Sequence, residues 1–303
     1  MTLRVRVAMC IALAISVPVV AERASLEFVD IAVEEPNGTA VTGLAQTNFE
    51  IDVAGASRPI ESFAAGTERP LSLVLLFDVT ASMETKIKRS AIRSAVEKGI
   101  IPRLRPEDRV QVGSFARTIT IGPVIAGNPR ALQAAVQKAL DPEHSDTLGP
   151  SPMWDAIDAA VKALATSTGR RSIIVVSDGR ATGNREAPED VGNRAVAAAV
   201  TVSVVGEDSE MMIRQDANTG VRVRPGAGLE WIAATTGGLY LPDRAIALEP
   251  TTILERLLAE LHNRYTLGFT PPVRDGKVHA LNIRVDRPGL TLRARRLFSA
   301  PAE

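Results

Sequence analysis

The chain has 303 residues, 45% of them hydrophobic and 23% charged, with 35 Lys and Arg against 35 Asp and Glu. Such globular composition excludes a mainly disordered or collagen-like chain, and the length allows one large or two modest domains at roughly 100–200 residues each. A balanced charge and only 4% aromatic residues speak against a nucleic-acid partner and against steering to an anionic membrane.

Residues 1–21 read as a signal peptide. Arg4 and Arg6 precede the apolar run Val7 to Val20, and Val19-Val20-Ala21 offers small residues for cleavage. The run is shorter than the ~20 residues of a spanning helix, so no stable membrane span is expected after cleavage; an uncleaved anchor is the alternative. The expected destination is outside the cytoplasm, periplasmic or extracellular. The single cysteine, Cys10, follows bulky Met9 and leaves with this segment, so the mature chain has neither disulfides nor thiolate ligands.

Residues 22–66 predict a small β segment. Val29, Ile31 and Val33 alternate, Pro36-Asn37-Gly38 marks a turn, and Phe49, Ile51 and Val53 alternate again before Gly55. This is too little for an independent core.

Residues 71–262 alternate strand-like and helix-like patterns. Leu71 to Phe77 is a nearly continuous apolar run, as in a parallel strand buried on both faces. Helical spacing over Ile87, Ala91, Ile92, Ala95 and Val96 follows, then a strand over Val110 to Phe115 and helices over Ala131 to Leu140 and Met153 to Leu164. Ser172 to Ser177 predicts a strand, Glu189 to Val200 a helix and Val202 to Val205 a strand. Helices over Leu229 to Thr235 and Ile253 to Leu261 flank the short Gly238 to Leu241. The expected fold class is α/β, a doubly wound, mostly parallel open sheet with helices on both faces.

Residues 263–303 return to period two. Tyr265, Leu267 and Phe269 alternate, Asp275-Gly276 marks a turn, and Leu281, Ile283 and Val285 alternate before Leu290, Leu292 and Ala294. These strands are expected to pack with the N-terminal ones as a small β-sandwich-like module.

Ligands of open α/β sheets sit at the carboxyl ends of the strands, near the switch in strand order. The first buried strand ends in Asp78-Val79-Thr80-Ala81-Ser82, three oxygen-bearing side chains spaced two apart. A later strand ends in Ser177-Asp178-Gly179. Between them, Gly149-Pro-Ser151-Pro presents a hydroxyl at the start of a helix. Two carboxylates and three hydroxyls, with no His or Cys, form a hard all-oxygen set suited to Mg²⁺, Mn²⁺ or Ca²⁺.

These segments resemble the von Willebrand factor type A domain, whose metal-ion-dependent adhesion site joins an Asp-x-Ser-x-Ser loop, a Thr and a second Asp. The resemblance carries the metal ligands onto Asp78, Thr80, Ser82, Ser151 and Asp178. Ser151-Pro-Met-Trp-Asp-Ala-Ile157 is similar to the family's Thr-Pro-Leu-Tyr-Asp-Ala-Ile, Ile173 to Gly179 to its strand ending in Thr-Asp-Gly, and Leu229 to Tyr240 to its closing helix with Thr-Gly-Gly-x-Tyr. Thr80 stands where Ser is usual and Ser151 where Thr is usual, and both keep a hydroxyl. The flanking segments resemble bacterial secreted proteins of the "VWFA-related" class. The resemblance implies a module, not an enzyme, that binds a protein ligand through an Asp or Glu completing the metal shell. Two alternatives stay open. A Mg²⁺-dependent phosphohydrolase would use Asp78 as acceptor, although Thr80 stands where a second carboxylate is needed and Lys86 and Lys88 lie on the helix. The other is a metal-free structural module.

The remaining residues of note have plainer expectations. His144, His262 and His279 are expected at surface or interface positions, and Trp154 in the core under its helix. Ser114 lacks the Gly-x-Ser-x-Gly spacing of a nucleophile elbow. Arg293 and Arg295 are expected on the wet face of an edge strand. The polar loop over 206–228 is a candidate specificity element by its length.

Overall fold

A computed structural model of the chain describes residues 26–66, 68–84, 89–141, 144–206, 214–215, 222–223, 226–242, 250–300 and 302. The expected signal peptide, Cys10, Lys86, Lys88, the His144 side chain and most of the 206–228 loop lie outside the described residues.

The N-terminal strands β1 (Glu27–Glu34), β2 (Phe49–Val53), β3 (Ala56–Arg58) and β4 (Ser62–Ala64) come first. The central run follows with β5 (Leu71–Asp78), β6 (Arg109–Phe115), β7 (Ile119–Ile121), β8 (Ile125–Ala126), β9 (Arg170–Ser177) and β10 (Val200–Gly206). A short pair, β11 (Arg214–Gln215) and β12 (Arg222–Val223), precedes β13 (Tyr240–Pro242). The C-terminal strands are β14 (Tyr265–Phe269), β15 (Val278–Val285), β16 (Thr291–Arg293) and β17 (Leu297–Ser299). The helices are α1 (Ala81–Glu84), α2 (Arg89–Ala95), α3 (Pro129–Leu140), α4 (His144–Thr147), α5 (Met153–Leu164), α6 (Pro188–Ala197), α7 (Ala227–Thr236) and α8 (Pro250–His262).

The central sheet runs β13-β10-β9-β5-β6-β7, with β8 also paired to β6. Its strands are parallel except β7 and β8, which run antiparallel to β6. The chain leaves β5 for β6 on one side and then crosses to β9 on the other, so strand order switches at β5. That switch opens a crevice beyond the carboxyl end of β5, where Asp78 stands.

The apolar run of β5 is divided between two cores. Leu71, Leu73, Leu75 and Phe77 pack with Ile92 of α2, Leu132 and Val136 of α3, and Leu254, Leu257 and Leu261 of α8. Val74 and Leu76 face Ile157 and Val161 of α5, Val191 of α6, and Leu229 and Ile232 of α7. Period two in the strand against three-to-four in the helices thus gives a sheet covered on both faces. Each fully buried Leu, Ile or Phe stabilises this arrangement by about 1.5–3 kcal/mol relative to exposure. Trp154 is buried in the second core. The helical stretch after β5 is less regular than its spacing predicts: past α2 the chain makes a π-turn over Val96–Ile100 and a 3-10 turn over Ile101–Arg103. Gly99 lies there against α8, where a Cβ would sit 2.8 Å from the Thr251 carbonyl oxygen.

The terminal strands form two antiparallel sheets, β16-β1-β14-β4 and β17-β15-β2-β3. Alternate residues of both sheets meet in one core: Val29, Ile31 and Val33 from β1, Phe49 and Ile51 from β2, Leu267 from β14, and Leu281 from β15. Tyr265 spans this core and satisfies its hydroxyl, which donates to the Val41 carbonyl at 2.9 Å and accepts from Leu44 N at 3.1 Å.

Arginines join the two parts, and here the structure departs from the expectation of a wet edge. Arg293 pairs bidentately with Glu34, both contacts 2.7 Å, and reaches Glu260 at 3.2 Å. Arg295 is buried; it donates to the carbonyls of Val196 at 2.7 Å and Phe28 at 2.8 Å and pairs with Glu27. Burial opposes ionisation of Glu34, but the Arg293 hydrogen bonds and charge outweigh it and hold the carboxyl below its ordinary pKa. Alternating arginines at a strand edge read as solvated in sequence. In the fold, that edge lies against α6 and α8. His262 is likewise not at the surface: it is buried, with Nε2 2.8 Å from Asp108 Oδ2. His279 bonds Asp275 at 2.9 Å.

Candidate metal centre

Asp78, the last residue of β5, is 1% exposed and organises the crevice. Its Oδ1 accepts from Thr80 Oγ1 at 2.6 Å and from Thr80 N at 3.0 Å. Its Oδ2 accepts from Ser177 Oγ at 2.7 Å and, at a long 3.4 Å, from Ser151 Oγ. The Thr80 and Ser82 hydroxyl oxygens lie 3.1 Å apart. Four sequence-predicted residues (Asp78, Thr80, Ser82 and Ser151) are therefore linked by one chain of contacts.

Local sequence explains the arrangement. After the extended strand the chain turns into α1, and spacing two apart lets the Thr80 amide and hydroxyl fold back onto the Asp78 carboxylate, a local side-chain to backbone turn. Asp78 accepts the Thr80 and Ser151 protons, so it leaves the lone pairs of those hydroxyls for another acceptor of electron density.

Asp178 follows directly on β9 and is 2% exposed. Its Oδ1 accepts from Arg180 N at 3.0 Å. Its buried Oδ2 accepts no hydrogen bond, and Arg180 Nε stands 3.4 Å from it. No direct contact joins Asp178 to the other four residues, but its charge is felt at Asp78. Burial is the largest influence on Asp78 and raises its pKa above the ordinary carboxylate value; hydrogen bonds from Thr80 and Ser177 oppose this, and the negative charge of Asp178 adds to the rise. Two buried carboxylates near enough for one to raise the pKa of the other, one with an oxygen lacking a donor, create a negative potential that a divalent cation would neutralise. The residues present fit such an ion: two carboxylates and three hydroxyls are hard oxygen donors. Among the described residues no group of three or more His, Cys, Asp and Glu side chains comes together, so a cation here would draw on oxygens besides carboxylates.

Two further residues belong to the crevice and were not singled out from the sequence. Ser177, within the buried strand, donates to Asp78 and accepts from Gly179 N at 3.1 Å. A hydroxyl in an otherwise apolar run, beside a carboxylate, was its visible signal. Thr182 bonds the Ser151 backbone; nothing in its surroundings marks it in sequence. Ser114, in β6, bonds Thr120 at 3.1 Å and takes no part.

No family model matches the chain, and no curated protein matches it. Solved structures do. Proximal thread matrix protein 1 from the mussel byssus, with a zinc-occupied MIDAS motif, is similar at 13% identity and TM-score 0.51 over 68% of this chain. The chain spans about half, 48%, of that protein's length. An aerotolerance-related membrane protein from Bacteroides fragilis is similar at 15% identity and TM-score 0.48, covering 63% of this chain and 98% of that one. A von Willebrand factor type A protein from Catenulispora acidiphila gives 13% identity and TM-score 0.48 over 92% of this chain and 75% of its own. These are likenesses of fold. Among the described residues, no helix is long and apolar enough to cross a membrane. With its doubly wound, mostly parallel sheet switching at β5, this chain has a von Willebrand factor type A-like fold.

Proposed function

We propose that the protein is exported and holds a divalent cation, Mg²⁺, Mn²⁺ or Ca²⁺, through Asp78, Thr80, Ser82, Ser151 and Asp178, so as to bind a protein partner that presents Asp or Glu. The observation that carries this reading is the convergence of the Thr80 and Ser151 hydroxyls on buried Asp78, with the Ser82 hydroxyl against that of Thr80, beside Asp178, whose Oδ2 has no hydrogen-bond donor. When bound, the cation would supply a positive charge able to accept an anionic oxygen from outside. Asp78 anchors the hydroxyls of Thr80 and Ser151 through their protons, Ser177 fixes Asp78 against the end of β9, and Asp178 supplies the second negative charge. Three of the five donors are neutral, so the two carboxylates leave no excess negative charge to repel an incoming carboxylate. The zinc-occupied MIDAS of the mussel protein gives a precedent on this fold for a metal in such a motif. The four donors already directed at the Asp78 oxygens favour an organising role over that of a phosphoryl acceptor. Export rests on residues 1–21 and their charged-then-apolar order.

The test is titration calorimetry with Mg²⁺ and Mn²⁺, paired with capture of partners from the extracellular fraction in the presence and absence of EDTA. Binding and capture are expected for the native chain, and both are expected to be lost in Asp78→Ala with the fold retained by circular dichroism. Absence of heat at millimolar metal, or capture that persists in EDTA, overturns the reading.

A further inference from the structure

We propose that Thr182 is a positioning residue for the cation site, holding the Ser151 hydroxyl in place through the Ser151 backbone; this rests on the metal reading above. Ser151 stands between Pro150 and Pro152, neither of which has an amide proton. Its own N–H is therefore the single backbone donor of that tripeptide. Thr182 Oγ1 accepts this N–H at 2.9 Å, and Thr182 N donates to the Ser151 carbonyl at 2.8 Å. One residue from the loop after β9 thus grips both polar backbone groups of Ser151.

The grip extends in both directions. Trp154 N, one of the free amides at the start of α5, donates to Asn184 Oδ1 at 2.7 Å. In return, Asp155 Oδ1 accepts from Arg185 N and Glu186 N, each at 2.9 Å. Gly183 has φ +70°, and a Cβ on it would lie 2.8 Å from Pro150 Cβ, so only glycine lets the two segments lie this close. Residues 182–186 are laced along residues 150–155. The loop that begins at Asp178 consequently also holds the backbone that carries the third hydroxyl.

Loss of a partner behind a metal ligand typically weakens metal binding about 10–100-fold. Thr182 acts one step further back, through backbone, so the lower figure applies. Mn²⁺ titration calorimetry on the full chain is expected to give about tenfold weaker binding for Thr182→Val and binding within about twofold of native for Thr182→Ser, which keeps the accepting oxygen. A merely structural role would weaken binding equally in any background, whereas a positioning role has nothing left to position once the Ser151 hydroxyl is gone. Thr182→Val is therefore expected to add no further loss in a Ser151→Ala chain, even if it lowers the melting temperature. Native affinity in Thr182→Val, failure of Thr182→Ser to rescue, or an undiminished loss on top of Ser151→Ala overturns the proposal. A native chain that takes up no Mn²⁺ would instead overturn the metal reading itself, and with it this inference.

Discussion

Asp178→Asn separates a metal site from a structural carboxylate cluster, because the two predict opposite changes in the metal-free protein. Asp178 Oδ2 is buried without a hydrogen bond, and an unsatisfied buried acceptor costs about 1–3 kcal/mol. A carboxamide is cheaper to bury than a carboxylate, but its amide finds no acceptor beside Arg180 Nε at 3.4 Å, so the net relief when the charge is removed stays near the lower end, about 1 kcal/mol. Asp178 also raises the pKa of Asp78, after burial, the larger cause. A carboxyl raised in the folded state contributes stability that is full below its unfolded pKa, about 3.9, and is lost as pH rises through the folded value. The asparagine removes one source of that loss. In EDTA at pH 7, Asp178→Asn should therefore melt above the native chain by roughly 2–4 °C, the shift that 1 kcal/mol gives in a domain of 150–250 residues. The native chain in Mg²⁺ at about 100 times its Kd should gain about 2.7 kcal/mol, and the variant should lose that gain. Differential scanning fluorimetry with EDTA and with Mg²⁺ reads both numbers. An asparagine variant that melts below native in EDTA, or that keeps the Mg²⁺ shift, refutes the reasoning.

At the opposite end of the sheet, Asp108 accepts from Leu71 N at 3.0 Å, Arg105 N at 2.8 Å and His262 Nε2 at 2.8 Å. Burial would raise its pKa, but these donors prevail and lower it; its contribution is present above the unfolded pKa and is lost as pH falls through the lowered folded value. Asp108→Asn should cost about 2 kcal/mol at pH 7, with the difference from native shrinking toward acid in urea unfolding curves at pH 7 and pH 3. Between the two parts of the molecule, Arg264→Met removes the 2.6 Å partner of buried Glu260 and leaves it only the 3.2 Å contact of Arg293, so the cost should lie near the lower end of about 3–5 kcal/mol. Adding Glu260→Leu should restore part of this in guanidinium unfolding, since the uncompensated charge is gone while the Gly237 carbonyl still lacks the Arg264 donor it had at 2.8 Å.

Legibility in the sequence followed the range over which a residue finds its partner. The β5 run, the α5 spacing and the alternation in β14 each state a local period, and the chain realises them with α5 over Met153–Leu164 and β14 over Tyr265–Phe269 as read. The Asp78, Thr80 and Ser82 cluster is legible for the same reason, because its geometry is set within five residues of one turn. Alternation in Leu292-Arg293-Ala294-Arg295 also states a period, but a period assigns faces and not partners. Whether the arginine face meets water or Glu34, which lies 259 positions away, depends on how the two sheets dock on α6 and α8. Ser177 and Thr182 were missed on similar grounds. Each acts on a residue distant in sequence, at separations of 99 and 31 positions; Ser177 stands within the Ser-Asp-Gly strand end without being marked there as a partner of Asp78, and Thr182 belongs to no spaced motif. The site is thus written twice in the chain. The residues that face the crevice stand in recognisable order, while those that hold them in place are dispersed along the loops and become visible only when the strands are set side by side. Substitution of the central carboxylate should therefore abolish binding outright, whereas substitution of a holding residue should grade it, which is the contrast between Asp78→Ala and Thr182→Val.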